Sequence, residues 1–202
     1  MMKLLRIVFL VAFLFPFGCN DDDCGSDVPR YLDVTGLTGH PMRLLTDNYR
    51  DTDSLATQAR VSYEQYALQL FPVVEYTNQR AEVFGSWGGT AYACDPVPPQ
   101  PFESVADITV SSNAAYPQAG SDQVIAAGER LNSIVKIYSY RGSRMMDLPD
   151  FLLDKPLAAE EGFLLQFTTA PTQEATHTLT VRYELDNGET YEFVAPPVTI
   201  TP

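Results

Sequence analysis

His177-Thr178-Leu179-Thr180-Val181-Arg182-Tyr183-Glu184-Leu185 alternates apolar and polar side chains over nine residues. Successive side chains of a strand point to opposite faces, so this stretch reads as a half-buried antiparallel strand. Asp186-Asn187-Gly188-Glu189 follows, and Asn-Gly supplies the positive φ angles of a tight hairpin turn. Tyr191 and Phe193 then continue the apolar face on a return strand. His177, on that face, reads as a structural histidine satisfied inside a core.

Working outward, the same pattern recurs. Val105–Ser111 places Ile108 and Val110 on one face, and Ile134–Tyr140 and Phe163–Thr169 are dense in β-formers. Val198–Thr201 reads as a final edge strand. Upstream, Tyr31–Leu37 reads as a strand ending at Gly36. Residues 59–71 change apolar phase at Glu64-Gln65, which predicts a bulge or a break, and Pro72 is expected to end that run. Val73–Tyr76, Arg80–Phe84 and Thr90–Cys94 are shorter strand candidates. Helical signals are few: Asp147–Leu153 has a capping Asp147 and a first-turn Pro149, and residues 43–59 and 121–131 have room for a turn or two. Asp95-Pro96-Val97-Pro98-Pro99-Gln100-Pro101 is a stiff connector. The expected fold is all-β, an antiparallel immunoglobulin-like β-sandwich with few short helices. It forms a single domain over residues 25–202 with a Pro-rich crossover at 95–101.

The first residues read as a targeting segment. Lys3 and Arg6 precede the apolar run Ile7–Phe15, too short to span a bilayer but suited to a signal peptide. Gly18-Cys19 at its end resembles a bacterial lipobox, with Pro16 where Leu is usual. The resemblance implies a lipoprotein signal peptide at 1–18 and lipidation of Cys19; an ordinary secretory signal is the alternative. Residues 19–24 form an acidic tether, and Asn20-Asp21-Asp22-Asp23 resembles a surface-export signal of Bacteroidota lipoproteins. The expected place is therefore the cell outer membrane, lipid-anchored and surface-exposed, with the periplasmic face as alternative. With Cys19 acylated, Cys24 and Cys94 remain in an exported chain, and a Cys24–Cys94 disulfide is expected. It closes about 70 residues, for roughly 4 kcal/mol of chain entropy.

Taken together, Cys19, Cys24, Tyr31-Leu32-Asp33-Val34-Thr35-Gly36-Leu37, Ala91-Tyr92-Ala93-Cys94, Ile108-Thr109-Val110-Ser111-Ser112-Asn113 and Pro117-Gln118-Ala119-Gly120 resemble an uncharacterised family of Bacteroidota lipoproteins with an immunoglobulin-like sandwich. That resemblance implies fold and location, and no activity.

Composition narrows the function. The 202 residues hold 13 Lys plus Arg against 26 Asp plus Glu, for a net charge of −13. Loss of residues 1–18 takes Lys3 and Arg6 with it and lowers the balance by two. Such a chain lacks the cations that displace counterions from nucleic-acid phosphates. Two His and three Cys exclude multi-Cys zinc frameworks, and no cofactor is implied. No Gly-x-Ser-x-Gly occurs, and Ser86 lacks the elbow spacing. His40 reads as a loop residue. Asp47, Asn48, Asp51 and Asp53 lack the spacing of a calcium loop. The leading reading is a non-catalytic binding or structural module with a protein or glycan partner. A glycan-capture protein is the second: Trp87 among glycines and Tyr116 in a loop would display rings for stacking, whereas Tyr138 and Tyr140 read as core. An enzyme with a carboxylate pair is disfavoured. Arg141-Gly142-Ser143-Arg144 is a basic patch in an acidic protein.

Overall fold

In the computed structural model, described for residues 31–46, 49, 51–77, 100–101, 103–160 and 162–202, the β-formers at Tyr31 open the longest strand. This is β1 (Tyr31–Leu44), which passes Gly36 instead of ending there. An irregularity between Val34 and Gly36 absorbs the extra residue Thr35 and keeps both halves of β1 paired with β4 (Tyr66–Thr77). The phase change at Glu64-Gln65 is a true break: a turn there separates β3 (Arg60–Ser62) from β4.

Pro72 does not end β4. Its partner on one side is Leu37 of β1, but the neighbour on the other side, β11 (Phe163–Phe167), pairs only as far as Leu70. A proline without an N–H is tolerated where the strand has become an edge. Thr52–Ser54 forms β2 along β1 instead of a helical turn. No helix forms in 121–131 either. Gly120 and Gly128 adopt left-handed φ, and the segment holds β8 (Val124–Ile125), paired with β7 (Tyr116–Pro117), and a single turn in which Glu129 N–H donates to Ala126 O at 3.1 Å.

The large sheet also contains β5 (Gln100–Pro101), parallel to β1, then β9 (Val135–Ser139) and β10 (Arg144–Asp147). Its order is β10-β9-β11-β4-β1-β2. A second ladder joins β6 (Val105–Ser112), β13 (Leu179–Leu185) and β14 (Thr190–Val194), with Gly188 at positive φ in the Asn-Gly hairpin. A third joins β12 (Ala175–His177), β15 (Val198–Thr201) and β3. The alternation from His177 to Leu185 thus spans two strands. The chain changes ladder at Thr178, whose N–H donates to Asn113 Oδ1 at 2.7 Å. The expected short helix is present as α1 (Leu148–Leu153), with Pro149 in its first turn. Asp147 stands at its N-cap without a capping bond, its carboxylate lying 3.8 Å from Lys136 Nζ instead.

The core lies between the sheets. Leu68, Leu70, Ile137, Phe163 and Leu165 of the large sheet pack with Ile108, Val110, Val181 and Tyr183 of the second ladder, and Val61, Val198 and Ile200 join from the third. Mostly antiparallel layers over one apolar core make this the all-β sandwich anticipated from the sequence, with β5 beside β1 and β3 beside β15 as parallel pairs. Tyr31–Thr77 and Pro99–Pro202 form this one compact unit. Among the described residues no helix is long and apolar enough to cross a membrane.

Candidate functional site: the outer face of the large sheet

An antiparallel sheet covered on one side should carry polar residues on the other. The large sheet departs from this. Along β4, Tyr66, Leu68 and Leu70 belong to the main core, while Ala67 belongs to a second apolar cluster with Met42, Leu44, Tyr138 and Leu164. Tyr49, Tyr140 and Met145 pack against that cluster.

Strand register sets the residues of this outer face in rows. His40, Gln69, Leu164, Tyr138 and Met145 are successive cross-strand partners from β1 to β10. One row along, Thr38 pairs with Phe71, and the backbone N–H of Tyr140 reaches Gly162 O at 3.2 Å. The rings connect. Tyr49 lies 4.6 Å from Tyr138, Tyr138 meets Tyr140 edge-on at 5.7 Å, and Tyr140 is parallel to Phe71 at 6.0 Å. Glycine at 162 makes room for the last pair. A Cβ there would stand 2.6 Å from the Phe71 ring and 3.3 Å from that of Tyr140.

Polar groups are interleaved with the rings. Gln69 Nε2 donates to Tyr140 Oη at 2.6 Å. Burial raises the Tyr140 pKa; the Gln69 bond opposes this and the neighbouring Tyr138 adds to it, so the phenol stays neutral and can both donate and accept. Phe71 is 37% exposed and Val73 41%, and Thr38 and His40 are exposed beside them. Apolar ring faces bordered by amide, hydroxyl and imidazole groups match a ligand that is itself apolar on its faces and hydroxylated at its edges.

The structure redistributes the residues singled out in the sequence. Tyr116 is not displayed in a loop. It is fully buried in the core, stacked on Phe167 at 4.9 Å, and its hydroxyl donates to Thr169 O at 2.6 Å, which corrects its reading as a ligand contact. His40 lies within β1, not in a loop. Tyr138 is core of the second cluster, as expected, whereas Tyr140 is only half-buried. His177 is buried, with Nδ1 2.9 Å from Ser112 Oγ. Cys19, Cys24, Trp87 and Cys94 lie outside the described residues, as do Asp47 and Asn48. Phe71 was not singled out, yet it carried a signal: an aromatic ring in phase with Ala67 and Gln69, on the face expected to be polar.

A second cluster joins Asp33, Glu103 and Glu189, whose nearest ligand atoms lie within 4.8 Å of one another. Glu103 is 3% exposed. Its oxygens are occupied, one by the Val34 N–H at 3.3 Å and the other by Asn187 Nδ2 at 2.6 Å. Burial raises its pKa; the Val34 bond lowers it, and Asp33, Glu189 and Asp186 raise it further. Tyr191 ties the cluster together, its hydroxyl bonded to Val34 O and Glu189 Oε2. The buried carboxylate anchors β1 to the turn after β13.

No family model matches the chain, and no curated protein matches it significantly. Among solved structures it is similar to one titled BspA_C_WT, at 12% identity and a TM-score of 0.29. It is also similar to the Streptococcus agalactiae AgI/II polypeptide BspA C terminal domain, at 12% identity and a TM-score of 0.28. In each case the match covers 82% of this chain and 50% of the other, so the chain spans about half the length of the structures it matches.

Proposed function

We propose that this chain is a non-catalytic recognition module that captures glycans on the outer face of its large sheet. The observation that carries the reading is the connected row Tyr49, Tyr138, Tyr140 and Phe71 on a face where a sandwich normally presents polar side chains. Sugar rings offer C–H faces to aromatic rings and hydroxyls to Gln69, Thr38 and His40. The module is held at the outer membrane by acylated Cys19 and displayed outward on its acidic tether, with Cys24–Cys94 closing the start of the chain, in the manner of the Bacteroidota lipoproteins it resembles.

The test is a retention assay of the full chain, extracted in detergent, on a panel of neutral polysaccharides. The paired variant Phe71→Ala/Tyr140→Ala should lose retention by about tenfold or more, since stacking contributes about 1 kcal/mol or more per ring. Trp87→Ala is assayed beside it. Loss only in Trp87→Ala would move the site away from the sheet face. No retention by any glycan would leave a structural or protein-binding module.

A further inference from the structure

We propose that Asn187 is a self-modification site: attack by the following backbone nitrogen converts its side-chain amide to a carboxylate, and the conversion loosens the β13–β14 hairpin from β1. The inference stands apart from the outer sheet face.

The sequence selects the residue. Asn187 precedes Gly188, and no other Asn of the chain is followed by glycine. The reaction brings Gly188 N to Asn187 Cγ, and glycine has no side chain to obstruct that approach. Gly188 N bonds to Cγ as the Cγ–Nδ2 bond breaks. The proton given up by Gly188 N leaves with the side-chain nitrogen as ammonia. Water then opens the cyclic imide at either carbonyl. One product is aspartate; the other is isoaspartate, whose main chain runs through the side-chain carbons. Asn187 and Gly188 are both exposed, so water has access. The attacking nitrogen is held by a turn bond, Gly188 N–H to Leu185 O at 3.0 Å, and an exposed turn opens locally at small cost.

Asn113 and Asn132 make the comparison. Their amides also anchor backbone: Asn113 Oδ1 accepts from the Thr178 N–H at 2.7 Å, and Asn132 Oδ1 from the Val110 N–H at 2.9 Å. Each is followed by a residue with a side chain, Ala114 or Ser133.

The surroundings give the conversion its consequence. Asn187 Nδ2 donates to Glu103 Oε1 at 2.6 Å, and Glu103 Oε2 accepts from the Val34 N–H of β1 at 3.3 Å. The amide is thus one of the donors that let a buried carboxyl sit between the hairpin and β1. An ionised carboxylate in its place has nothing to donate. It also adds negative charge beside a group that Asp33, Glu189 and Asp186 already surround. Isoaspartate further lengthens the main chain inside a turn closed by the Leu185 N–H to Glu189 O at 2.9 Å. Both products weaken the tie to β1, and neither returns to asparagine.

The experiment ages the full chain in mildly alkaline buffer and maps its peptides by mass. Asn187 should lose ammonia several-fold faster than Asn113 and Asn132, with isoaspartate among the products. The fraction converted at Asn187, separated by ion exchange, should unfold at lower urea concentration than the unconverted fraction. At neutral pH Asn187→Asp should lower the urea midpoint more than Asn187→Ser, which removes the donor without adding charge. Acidification should close that gap, because a protonated carboxyl donates to Glu103 again. The proposal is overturned if Asn187 converts no faster than Asn113 and Asn132, if the converted fraction unfolds with the unconverted one, or if Asn187→Asp costs no more than Asn187→Ser. The comparison of aged fractions decides the matter even where a variant fails to fold.

Discussion

The two faces of the large sheet are both apolar, but they are apolar in different ways. The inner face is closed by a second layer: Phe163 meets Tyr183 at 6.0 Å and Phe151 at 6.2 Å, and its neighbours Leu68, Leu70 and Leu165 are all buried. The outer face is closed by its own side chains, with Tyr49, Tyr140 and Met145 leaning over Ala67 and Leu164. One face holds the fold together; the other leaves Phe71 37% exposed beside a half-buried Tyr140. Adjacent residues of β11 measure the contrast. Phe163→Ala should cost about 3–5 kcal/mol, because a second layer cannot collapse into the hole. Leu164→Ala should cost only about 2 kcal/mol, because Tyr140 and Met145 are half-exposed and can settle into the gap. Urea unfolding of both variants checks this, and equal losses would erase the distinction.

The inner core also contains a buried imidazole, His177. Ser112 Oγ accepts from the Ala114 N–H at 3.2 Å and shares a hydrogen bond of 2.9 Å with His177 Nδ1. His177 Nε2 is buried and has no hydrogen-bond partner among the described residues. Burial lowers the His177 pKa from 6.5. The unfolded chain therefore binds a proton that the folded chain refuses, and stability falls as pH drops below about 6.5. For one proton the slope reaches at most about 1.4 kcal/mol per pH unit. Urea midpoints between neutral pH and pH 5 should show this slope in the parent, and His177→Gln should flatten it. An unchanged slope would mean that carboxylates, not His177, set the acid sensitivity.

This contrast bears on how far the fold could be read beforehand. Period-two alternation was legible wherever one face met the core and the other met water, as along Leu179–Leu185. It failed where both faces are covered. Tyr66-Ala67-Leu68 is buried three in a row, so β4 gives no alternation there and its outer face passed unnoticed. Pro72 misled for a related reason: its tolerance depends on β11 pairing only as far as Leu70, a fact set by Phe163, far along the chain. Thr178 shows the converse, for alternation continues unbroken while the chain changes ladder. Tyr116 looked displayed beside Pro117, but a short pairing with Val124–Ile125 folds that loop back and turns the ring inward. Of the outer site, the sequence singled out only Tyr138 and Tyr140, and those as core. Its other members come from three further segments, and only register brings them together.

Gly162→Ala is the mildest of these changes and the sharpest test of what the outer face is for. Its methyl would enter 2.6 Å from the Phe71 ring, so one of the two must move. Phe71 is already more than a third exposed, and its ring can swing toward solvent without opening a buried cavity. The stability cost should therefore stay below about 1 kcal/mol, far under that of Phe163→Ala in the next position. The parallel arrangement of Phe71 and Tyr140 is nonetheless lost, because glycine alone lets both rings lie over that strand. If the face recognises sugar rings, retention should fall several-fold while the urea midpoint barely moves. If the rings serve only to shield Leu164 and Ala67, the two readouts should move together. A retention loss without a stability loss would separate recognition from packing on a single methyl group.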